Sequence, residues 1–263
     1  MDAHRARKRF SQNFLHDARV LERIAAAIDP GHGETIVEIG PGLGALTAYL
    51  IAGAGRITAV EIDRDLAERL HARFADGGLQ LIVGDALDLD WADYTASRGG
   101  FVRIVGNLPY HISTPMLFAL LPAAMHIMDQ HFLLQREVVE RMVAAPGGRE
   151  YGRLSVMLQA RYRLELLFHV AAGSFSPAPK VQSSVVRMVP LGPQERLHVS
   201  QEAFQRVVTA AFSQRRKTLR NALSALLSPQ QIEDAQVDPG ARAQTLDVAA
   251  FARLTERLPA PRA

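Results

Sequence analysis

Apolar residues in the first part of the chain form short continuous runs that are separated by segments with helical spacing. Four runs are typical of strands buried on both faces of a sheet: TIVEIG (35–40), ITAVEID (57–63), LQLIVGDALDLD (79–90) and FVRIVGNLPY (101–110). Helical spacing precedes the first run at 17–28, follows its glycine-rich end, and returns at 64–74. Strands that alternate with helices predict an α/β fold with a parallel sheet.

This pattern continues to about residue 190 and then changes. Two more helices are predicted at 113–121 and 136–144, and strands are predicted within 124–135 and at 164–170 and 183–189, the last two interpreted as a closing hairpin. Beyond Pro190 a linker leads into helical stretches without a strand pattern, at 201–213, 216–227 and 247–258. The sequence therefore predicts a Rossmann-like domain with an N-terminal arm (1–192) and a small all-α C-terminal domain (193–263).

Composition excludes several classes of protein and of site. Hydrophobic residues make up 48% of the 263, too many for a disordered chain, and the absence of cysteine excludes disulfides and thiolate metal sites. The nine histidines lack metal-ligand spacing, so no metal site is predicted. The N-terminus has no apolar signal region, and charges, Gly or Pro interrupt every long apolar stretch. We therefore expect a cytoplasmic protein with no membrane partner.

The formal net charge of +3 conceals an uneven distribution along the chain. Counted from the sequence, segments 1–30, 101–190 and 191–263 carry net charges of +2, +4 and +3, whereas 31–100 carries −6. Basic segments around an acidic one are typical of a protein with a polyanionic partner, although solvated charged surfaces are common without one. The distribution suggests a partner for the basic segments but does not identify it.

Three polar or glycine-rich features follow successive predicted strands. Gly40, Gly42 and Ala45 satisfy the G-x-G-x-x-G/A fingerprint of a nucleotide-binding turn, although such a turn also occurs without a ligand. Glu61 lies 21 residues after Gly40, where a carboxylate can accept both ribose hydroxyls, and Asp85 can accept a hydrogen bond from an adenine amino group. Because parallel strands end at one edge of the sheet, the three features predict one adenosine-cofactor site. An NAD enzyme and an S-adenosylmethionine enzyme both fit this much.

The tetrapeptide Asn107-Leu108-Pro109-Tyr110 at the end of the fourth strand distinguishes the two. Asn107 offers an amide acceptor, the residue before a proline is held extended so that its carbonyl can be aimed, and Tyr110 offers a π-face for a base. Acceptors beside an aromatic platform suit a planar exocyclic amine, whose nitrogen would attack a methyl group on a sulfonium. The tetrapeptide therefore favours methyl transfer to an adenine, although alone it would be an ordinary proline turn.

Eight segments occur in this order in one known family and together span nearly the whole chain. They are ARKRFSQNFLHD (6–17), VEIGPGLGALT (37–47), VEIDRDLAERL (60–70), GDALDLD (84–90), GNLPYHIST (106–114), LLQREVVERMVAAPGGREYGRLSVM (133–157), FSPAPKVQSSVVR (175–187) and AFSQRRKTLRNAL (211–223). On these the chain resembles the KsgA family, the small-subunit rRNA adenine dimethyltransferases, with QNFL, NLPY, YGRLSV and RRKTLRN the most specific. Ser11, where glycine is expected, and His111, where asparagine is common, are the two local departures.

The resemblance implies a class I methyltransferase domain with S-adenosyl-L-methionine as cofactor, and it implies roles for residues of this chain. The cofactor would be bound by Gln12, Asn13, Leu15, Gly40, Gly42, Glu61, Ile62, Asp85, Ala86 and Asn107. The catalytic residues would be Asn107, Leu108, Pro109 and Tyr110, with Tyr110 and Phe175 against the two faces of the target base. The implied product is N6,N6-dimethyladenosine at two adjacent adenosines in the hairpin near the 3′ end of 16S rRNA, within the immature small subunit, and we expect a monomeric enzyme.

Two compact basic clusters are predicted to contact RNA phosphates. They comprise Arg5, Arg7, Lys8 and Arg9 near the N-terminus, and Arg215, Arg216, Lys217 and Arg220 in RRKTLR. On a helix, Arg220 would share a face with Arg216 and with Lys217. Three other functions compete with the leading one: an erythromycin-resistance-type 23S rRNA methyltransferase, an NAD-dependent oxidoreductase, for which no hydride-transfer pair is evident, and a non-enzymatic ribosome assembly factor.

Overall fold

A computed structural model describes residues 12–214 and 216–259, and these residues form two compact units. The first unit comprises residues up to Val139 together with Glu165–Pro190, and the second comprises Glu140–Leu164 together with the residues from Leu191 onward. The chain returns to the second unit at Leu191, close to the domain boundary that the sequence predicts after residue 192. The division into two domains at that boundary stays a prediction. The sequence pattern gave no indication that 140–164 belongs with the C-terminal helices.

The predicted strands are present and form a largely parallel sheet. Within the described residues the strands are β1 (Phe14–Leu15), β2 (Thr35–Ile39), β3 (Ile57–Glu61), β4 (Leu79–Val83), β5 (Val102–Asn107), β6 (Ile127–Gln135), β7 (Tyr162–Val170), β8 (Phe175–Ser176) and β9 (Ser183–Pro190). Seven of them form one sheet in the order β4-β3-β2-β5-β6-β9-β7, whose first five strands pair in parallel. β9 pairs antiparallel with β6 and is the neighbour of β7, as the predicted late pair of strands requires.

Helices connect the parallel strands, as the apolar spacing predicts. In chain order they are α1 (Ala18–Ile28), α2 (Ala45–Ala54), α3 (Arg64–Arg73), α4 (Trp91–Ala96), α5 (Tyr110–Ala119), α6 (Arg136–Val143), α7 (Arg153–Gln159), α8 (Gln201–Ser213), α9 (Leu219–Ala222), α10 (Pro229–Asp234) and α11 (Val248–Glu256). Asp17 caps α1 by accepting hydrogen bonds from the amides of Arg19 and Val20. The buried face of α1 packs with β2 and α2 into the core of the first unit.

The order of the parallel strands creates the position for a binding site. In the sheet, β3 and then β4 lie on one side of β2, whereas β5 lies on its other side. The strand order therefore reverses at β2, and ligands of such sheets bind outside the carboxyl ends of the strands at this reversal. The glycine-rich turn after β2 lies at that point.

A short two-stranded sheet holds the segment before α1. Leu15 of β1 pairs with Phe175 of β8, and the His16 amide donates to the Ser174 carbonyl at 3.0 Å. The Ser174 hydroxyl donates to the Asp17 carboxylate at 3.0 Å, so the cap of α1 is tied to the same connection. The segment that contains Gln12 and Asn13 is thereby anchored directly before α1.

A buried arginine joins the C-terminal end of α1 to the sheet. Arg103 of β5 is 6% exposed and donates to both carboxylate oxygens of Asp129, at 2.9 and 2.8 Å. Its remaining donors reach Glu34 at 2.8 Å and the backbone carbonyls of Ile28 and Asp29. Because all of these donors have partners, the charge can be buried without an unpaired polar group.

The helical prediction for 216–227 is wrong in extent, and the short helices α4, α7 and α10 were not predicted. Only Leu219–Ala222 is helical there, because the amides of Leu219 and Arg220 bond to the Ala241 and Pro239 carbonyls instead of continuing a helix. Arg216 and Lys217 therefore precede α9 and do not share a helical face with Arg220. Tertiary hydrogen bonds override the local helical preference here.

Candidate functional site

A single cavity at the carboxyl ends of β2 to β5 is lined by every residue that was predicted to bind cofactor or to take part in catalysis. The lining includes Gln12, Asn13, Leu15, Gly40, Gly42, Glu61, Ile62, Asp85, Ala86, Asn107, Leu108, Pro109 and Tyr110. These residues come from the segment before α1 and from four strand ends, so the sheet topology brings them together. The cavity also has apolar walls from α1 and β6, including Leu21, Ile24 and Leu133.

The turn after β2 exposes backbone groups to the cavity. Gly40 and Gly42 have φ values of 68° and 59°, in the left-handed region that favours glycine. A Cβ on Gly42 would lie 3.1 Å from the Phe14 ring, so the turn and the segment before α1 are in close contact. Phe14 lines the cavity as well and was not among the predicted residues, because its apolar side chain gave no chemical signal.

Glu61 is buried at the end of β3 and is held in place by two backbone amides. Its carboxylate accepts hydrogen bonds from the Asp63 amide at 2.9 Å and from the Gly42 amide at 3.2 Å. Burial raises the pKa of Glu61, and the two amide hydrogen bonds oppose that shift. Each carboxylate oxygen keeps a further lone pair, so the arrangement fits the predicted pair of ribose hydroxyls.

Glu38 is a second buried carboxyl on the cavity wall, and it was not predicted. It is 2% exposed, lies in β2, and accepts a hydrogen bond from the Thr47 hydroxyl at 2.6 Å. Burial raises its pKa to about 7, with a smaller contribution from the nearby Glu61. In the sequence, Glu38 lies within a run of apolar residues that predicts a strand, and nothing in that run indicates a binding role. The structure shows that Glu38 lines the cavity.

The turn after β4 presents Asp85 and Ala86. One Asp85 oxygen caps the next turn by accepting from the Leu87 amide at 2.9 Å, which is the structural role expected of an acid at this position. The carboxylate has a second oxygen and lines the cavity, so capping and adenine binding are compatible. The Ala86 carbonyl accepts a hydrogen bond of 2.8 Å from the indole N–H of the buried Trp91, which stabilises the turn.

The Asn107 side chain is oriented by a hydrogen bond that the sequence did not reveal. Its amide nitrogen donates to the Asn13 backbone carbonyl at 3.1 Å. Within the part of the chain that the structure describes, no group donates to the other end of this amide, the Oδ1 atom. The bond thus selects the orientation in which a hydrogen-bond acceptor remains available at the cavity.

Tyr110 begins α5 directly after Pro109 and lies half-buried at the cavity. The fixed φ of a proline suits the position before the first helical residue, so the strand passes into the helix within three residues. The Tyr110 hydroxyl forms a hydrogen bond of 2.9 Å with the Ser183 hydroxyl of β9. Burial raises the pKa of Tyr110, which therefore remains neutral at physiological pH.

The structure does not bring Phe175 to the cavity. Its side chain is 3% exposed and packs in the core of the first unit with residues of α1 and α2. Phe175 is thus not placed at the cavity in this structure, and its role against the target base stays a prediction.

The predicted RNA-binding residues fall into two groups. Arg216, Lys217 and Arg220 are exposed on the second unit, so no desolvation penalty opposes their positive charges. The residues Arg5, Arg7, Lys8, Arg9 and Arg215, together with the departure at Ser11, lie outside the described residues. Over 12–214 and 216–259 there is no cluster of three or more His, Asp or Glu that could hold a metal ion, and no helix is long and apolar enough to cross a membrane.

Nearly the whole chain is similar to proteins of one known family. Residues 3–259 match the family model described as ribosomal RNA adenine dimethylase. The chain is 52% identical over 258 residues to the ribosomal RNA small subunit methyltransferase A of Bordetella avium, covering 98% of this chain and 97% of the relative. It is 50% identical over 256 residues to the protein of the same name from Pseudomonas aeruginosa, covering 97% and 95%.

Two solved structures have a similar fold along most of their length. A dimethyladenosine transferase from Plasmodium falciparum superposes with a TM-score of 0.77 at 23% identity, covering 92% of this chain and 95% of that one. The 23S rRNA methyltransferase ErmE superposes with a TM-score of 0.72 at 26% identity, covering 94% and 99%. These similarities confirm the α/β fold that the alternating strands and helices predict.

Proposed function

This chain belongs to the ribosomal RNA adenine dimethylase family, and we propose that it methylates N6 of two adjacent adenosines in the hairpin near the 3′ end of 16S rRNA. It is an S-adenosylmethionine-dependent rRNA adenine dimethyltransferase. The observation that carries the choice of reaction is the orientation of Asn107, whose amide nitrogen is held by the Asn13 carbonyl and whose oxygen remains an acceptor at the cavity.

The residues of the cavity fit the cofactor. When bound, S-adenosylmethionine supplies a methyl group on a positively charged sulfur, which is a good leaving group. The open backbone of the Gly40–Gly42 turn suits the methionine part, and the two fixed oxygens of Glu61 suit the ribose hydroxyls. Asp85 keeps one carboxylate oxygen for the adenine amine, and the exposed Ile62 provides an apolar edge beside it.

Asn107 addresses the main chemical difficulty of the reaction. The lone pair of an adenine amine is delocalised into the ring, so the amine is a weak nucleophile. An acceptor that binds an N–H of this amine favours a pyramidal nitrogen, whose lone pair would be directed at the methyl group that the cofactor would supply. After each transfer the nitrogen would release one proton. Because the Asn107 amide is already oriented, it needs little reorganisation during the reaction.

Tyr110 provides a platform for the target base. Its ring is half-buried beside Asn107, and its hydroxyl is engaged away from the cavity centre, by Ser183. Stacking on an aromatic side chain compensates for the cost of extruding a base, which is small for a base in a hairpin loop. Positioning accounts for most of the rate enhancement in this scheme, since the leaving group needs no acid.

The partner is ribosomal RNA, and we infer that its relevant form is the immature small subunit. The exposed Arg216, Lys217 and Arg220 are candidates for phosphate contacts, with the basic N-terminal residues. A cytoplasmic location and a monomeric state are consistent with this substrate.

The relatives at 50–52% identity named for the small subunit, against 26% for ErmE, favour 16S over 23S rRNA. An assembly role without catalysis is not favoured, since the cofactor side chains Glu61, Asp85 and Asn107 all line one cavity.

The test is to incubate the protein with labelled S-adenosylmethionine and small subunits that lack the modification, and then to map the methylated nucleotides. Naked 16S rRNA and large subunits serve as controls for substrate form and for the rival 23S target. We expect two adjacent dimethylated adenosines near the 3′ end of 16S rRNA. Transfer to 23S rRNA alone, or none with properly folded protein, would overturn the proposal.

A further inference from the structure

A hydrogen bond between the Tyr110 and Ser183 hydroxyls, 2.9 Å long, joins two residues that are 73 positions apart in the sequence. We propose that Ser183 is a positioning residue for catalysis, which holds the Tyr110 ring in the orientation that accepts the target base. This inference rests on the proposed function, in which Tyr110 stacks on that base. Ser183 does not line the cavity and would not touch the RNA or the cofactor.

Ser183 is suited to this task because its own position is tightly determined. It is fully buried and is the first residue of β9, where it pairs with Gln135 at the end of β6. Immediately before it, Gln182 is bound twice by Arg136: the Arg136 amide donates to the Gln182 carbonyl and the guanidinium donates to the side-chain oxygen, both at 2.9 Å. The hydroxyl of Ser183 is therefore a fixed point at the end of a sheet strand.

Tyr110 has fewer constraints of its own. It is only half-buried, and as the first residue of α5 it has no preceding helical turn against which to pack. An aromatic side chain at such a position can rotate about two side-chain torsions, and a bond at the tip of the ring restricts both. A phenylalanine would present the same π-face but could not form this bond, so the geometry explains what the hydroxyl contributes.

The orientation of the ring matters because the reaction depends on alignment. The amine nitrogen must approach the methyl carbon along the line of the breaking bond, and the base plane fixes where the amine lies. A stacking surface that is already oriented lowers the entropy lost on reaching this arrangement. Loss of the Ser183 hydroxyl should therefore reduce the catalytic rate while the pocket for the cofactor stays intact.

The experiment compares Ser183→Ala, Tyr110→Phe and the double variant with a matched control, Ser184→Ala. Ser184 is the next residue of β9, is equally buried, and uses its hydroxyl for one hydrogen bond of 2.8 Å to His169. Both serine substitutions thus remove one buried hydroxyl from the same strand, but only one of them affects Tyr110. Methyl transfer to unmodified small subunits gives kcat and KM, and equilibrium binding gives the Kd for S-adenosylmethionine.

A second readout reports the ring directly. An RNA hairpin with 2-aminopurine at the target position loses fluorescence when that base stacks on an aromatic side chain. If Ser183 positions Tyr110, quenching by the protein should be weaker in Ser183→Ala and in Tyr110→Phe than in the wild type and in Ser184→Ala. A role for Ser183 in stability alone would leave the quenching of the folded variants unchanged.

We expect Ser183→Ala and Tyr110→Phe each to lower kcat by about tenfold, the effect of one hydrogen bond, with an unchanged cofactor Kd. The double variant should lose no more than either single variant, because both remove the same bond. Ser184→Ala should stay within about twofold of the wild type, and Ser183→Thr, which keeps a hydroxyl, should recover part of the loss.

Three results would overturn the inference: a Ser183→Ala enzyme as active as Ser184→Ala, additive losses in the double variant, or unchanged quenching. If Ser183→Ala does not fold, Tyr110→Phe still tests the bond from the other side. All of these comparisons require a wild-type enzyme that modifies 16S rRNA, so an inactive wild type would count against the proposed function and not against the role of Ser183.

Discussion

Replacement of Glu38 by glutamine should change the pH dependence of stability in a defined direction. Burial raises the pKa of Glu38 to about 7 in the folded protein, from 4.5 for an ordinary glutamate. Between these values the folded state holds a proton that the unfolded state has released. The stability that Glu38 contributes is therefore fully present below about pH 4.5 and is lost as the pH rises through 7, because the folded state must then ionise a buried carboxyl.

The magnitude follows from the two pKa values. Their separation corresponds to about 3 kcal/mol, at about 1.4 kcal/mol for each pH unit, which the wild type loses between acid and neutral pH. Glutamine cannot ionise, yet its side-chain oxygen can still accept the hydrogen bond from the Thr47 hydroxyl, which is 2.6 Å from the Glu38 carboxylate. The variant should therefore be close to the wild type at pH 5 and more stable at pH 8, by up to about 3 kcal/mol.

The assay is urea unfolding at pH 5 and pH 8, followed by the fluorescence of Trp91. This residue is the sole tryptophan of the chain, is 2% exposed, and lies in the same compact unit as Glu38. The control is Glu68→Gln, a substitution of the same type on the exposed face of α3, which should shift stability by less than about 0.5 kcal/mol at either pH.

The decisive quantity is the difference between variant and wild type at the two pH values. A difference that is the same at pH 5 and pH 8 would mean that Glu38 does not bind its proton more tightly in the folded state. Burial would then not raise the pKa of Glu38, whatever the absolute stabilities of the two proteins. A glutamine variant that is less stable than wild type at pH 8 would refute it as well.

Three further predictions concern the cofactor, the reaction and the fold. Glu61→Ala should weaken S-adenosylmethionine binding by about tenfold or more in an equilibrium titration, since two ribose acceptors are lost; an unchanged Kd would remove Glu61 from that role. Asn107→Ala should lower kcat by about a hundredfold while the cofactor Kd changes little, and equal losses in both would assign Asn107 to cofactor binding or folding instead. In the buried pair with Arg103, burial alone would raise the pKa of Asp129, but the nearby His131 ring, 3.6 Å from the carboxylate, and the hydrogen bonds from Arg103 outweigh it and hold the pKa at about 2. Asp129→Asn should therefore destabilise the fold by about 3 kcal/mol at pH 7 and flatten the loss of stability between about pH 4 and pH 2; the same urea assay checks both.

Much of the candidate site could be predicted because its signals are local. A glycine turn after a buried strand and acids at the next two strand ends can be read from short segments, and parallel strands necessarily end at one edge. The Gly40 turn, Glu61, Asp85 and Asn107 accordingly line one cavity, as expected. The resemblance through QNFL and NLPY added the chemistry, which periodicity alone leaves open between two classes of cofactor.

Other features depend on contacts between distant segments, and at two places these contacts give an arrangement that the sequence pattern does not indicate. Phe175 is a residue of the right type in the right segment, but its side chain packs in the core of the first unit. Arg216 and Lys217 lie in a stretch with helical spacing, but hydrogen bonds from neighbouring amides to 239 and 241 delay the helix until Leu219. Neither outcome is encoded within a window of a few residues.

The sequence by itself determined the alternation of strands and helices, the position of the glycine turn, and the kinds of side chain that end each strand. Only the tertiary structure decided that Glu38 faces the cavity with a raised pKa, that Asn13 orients Asn107, and that Ser183 holds Tyr110. The physical reason is that hydrophobic periodicity fixes which face of an element is buried. The partner of a buried polar atom depends instead on strand order, which places residues 73 or 94 positions apart within 3.1 Å of one another.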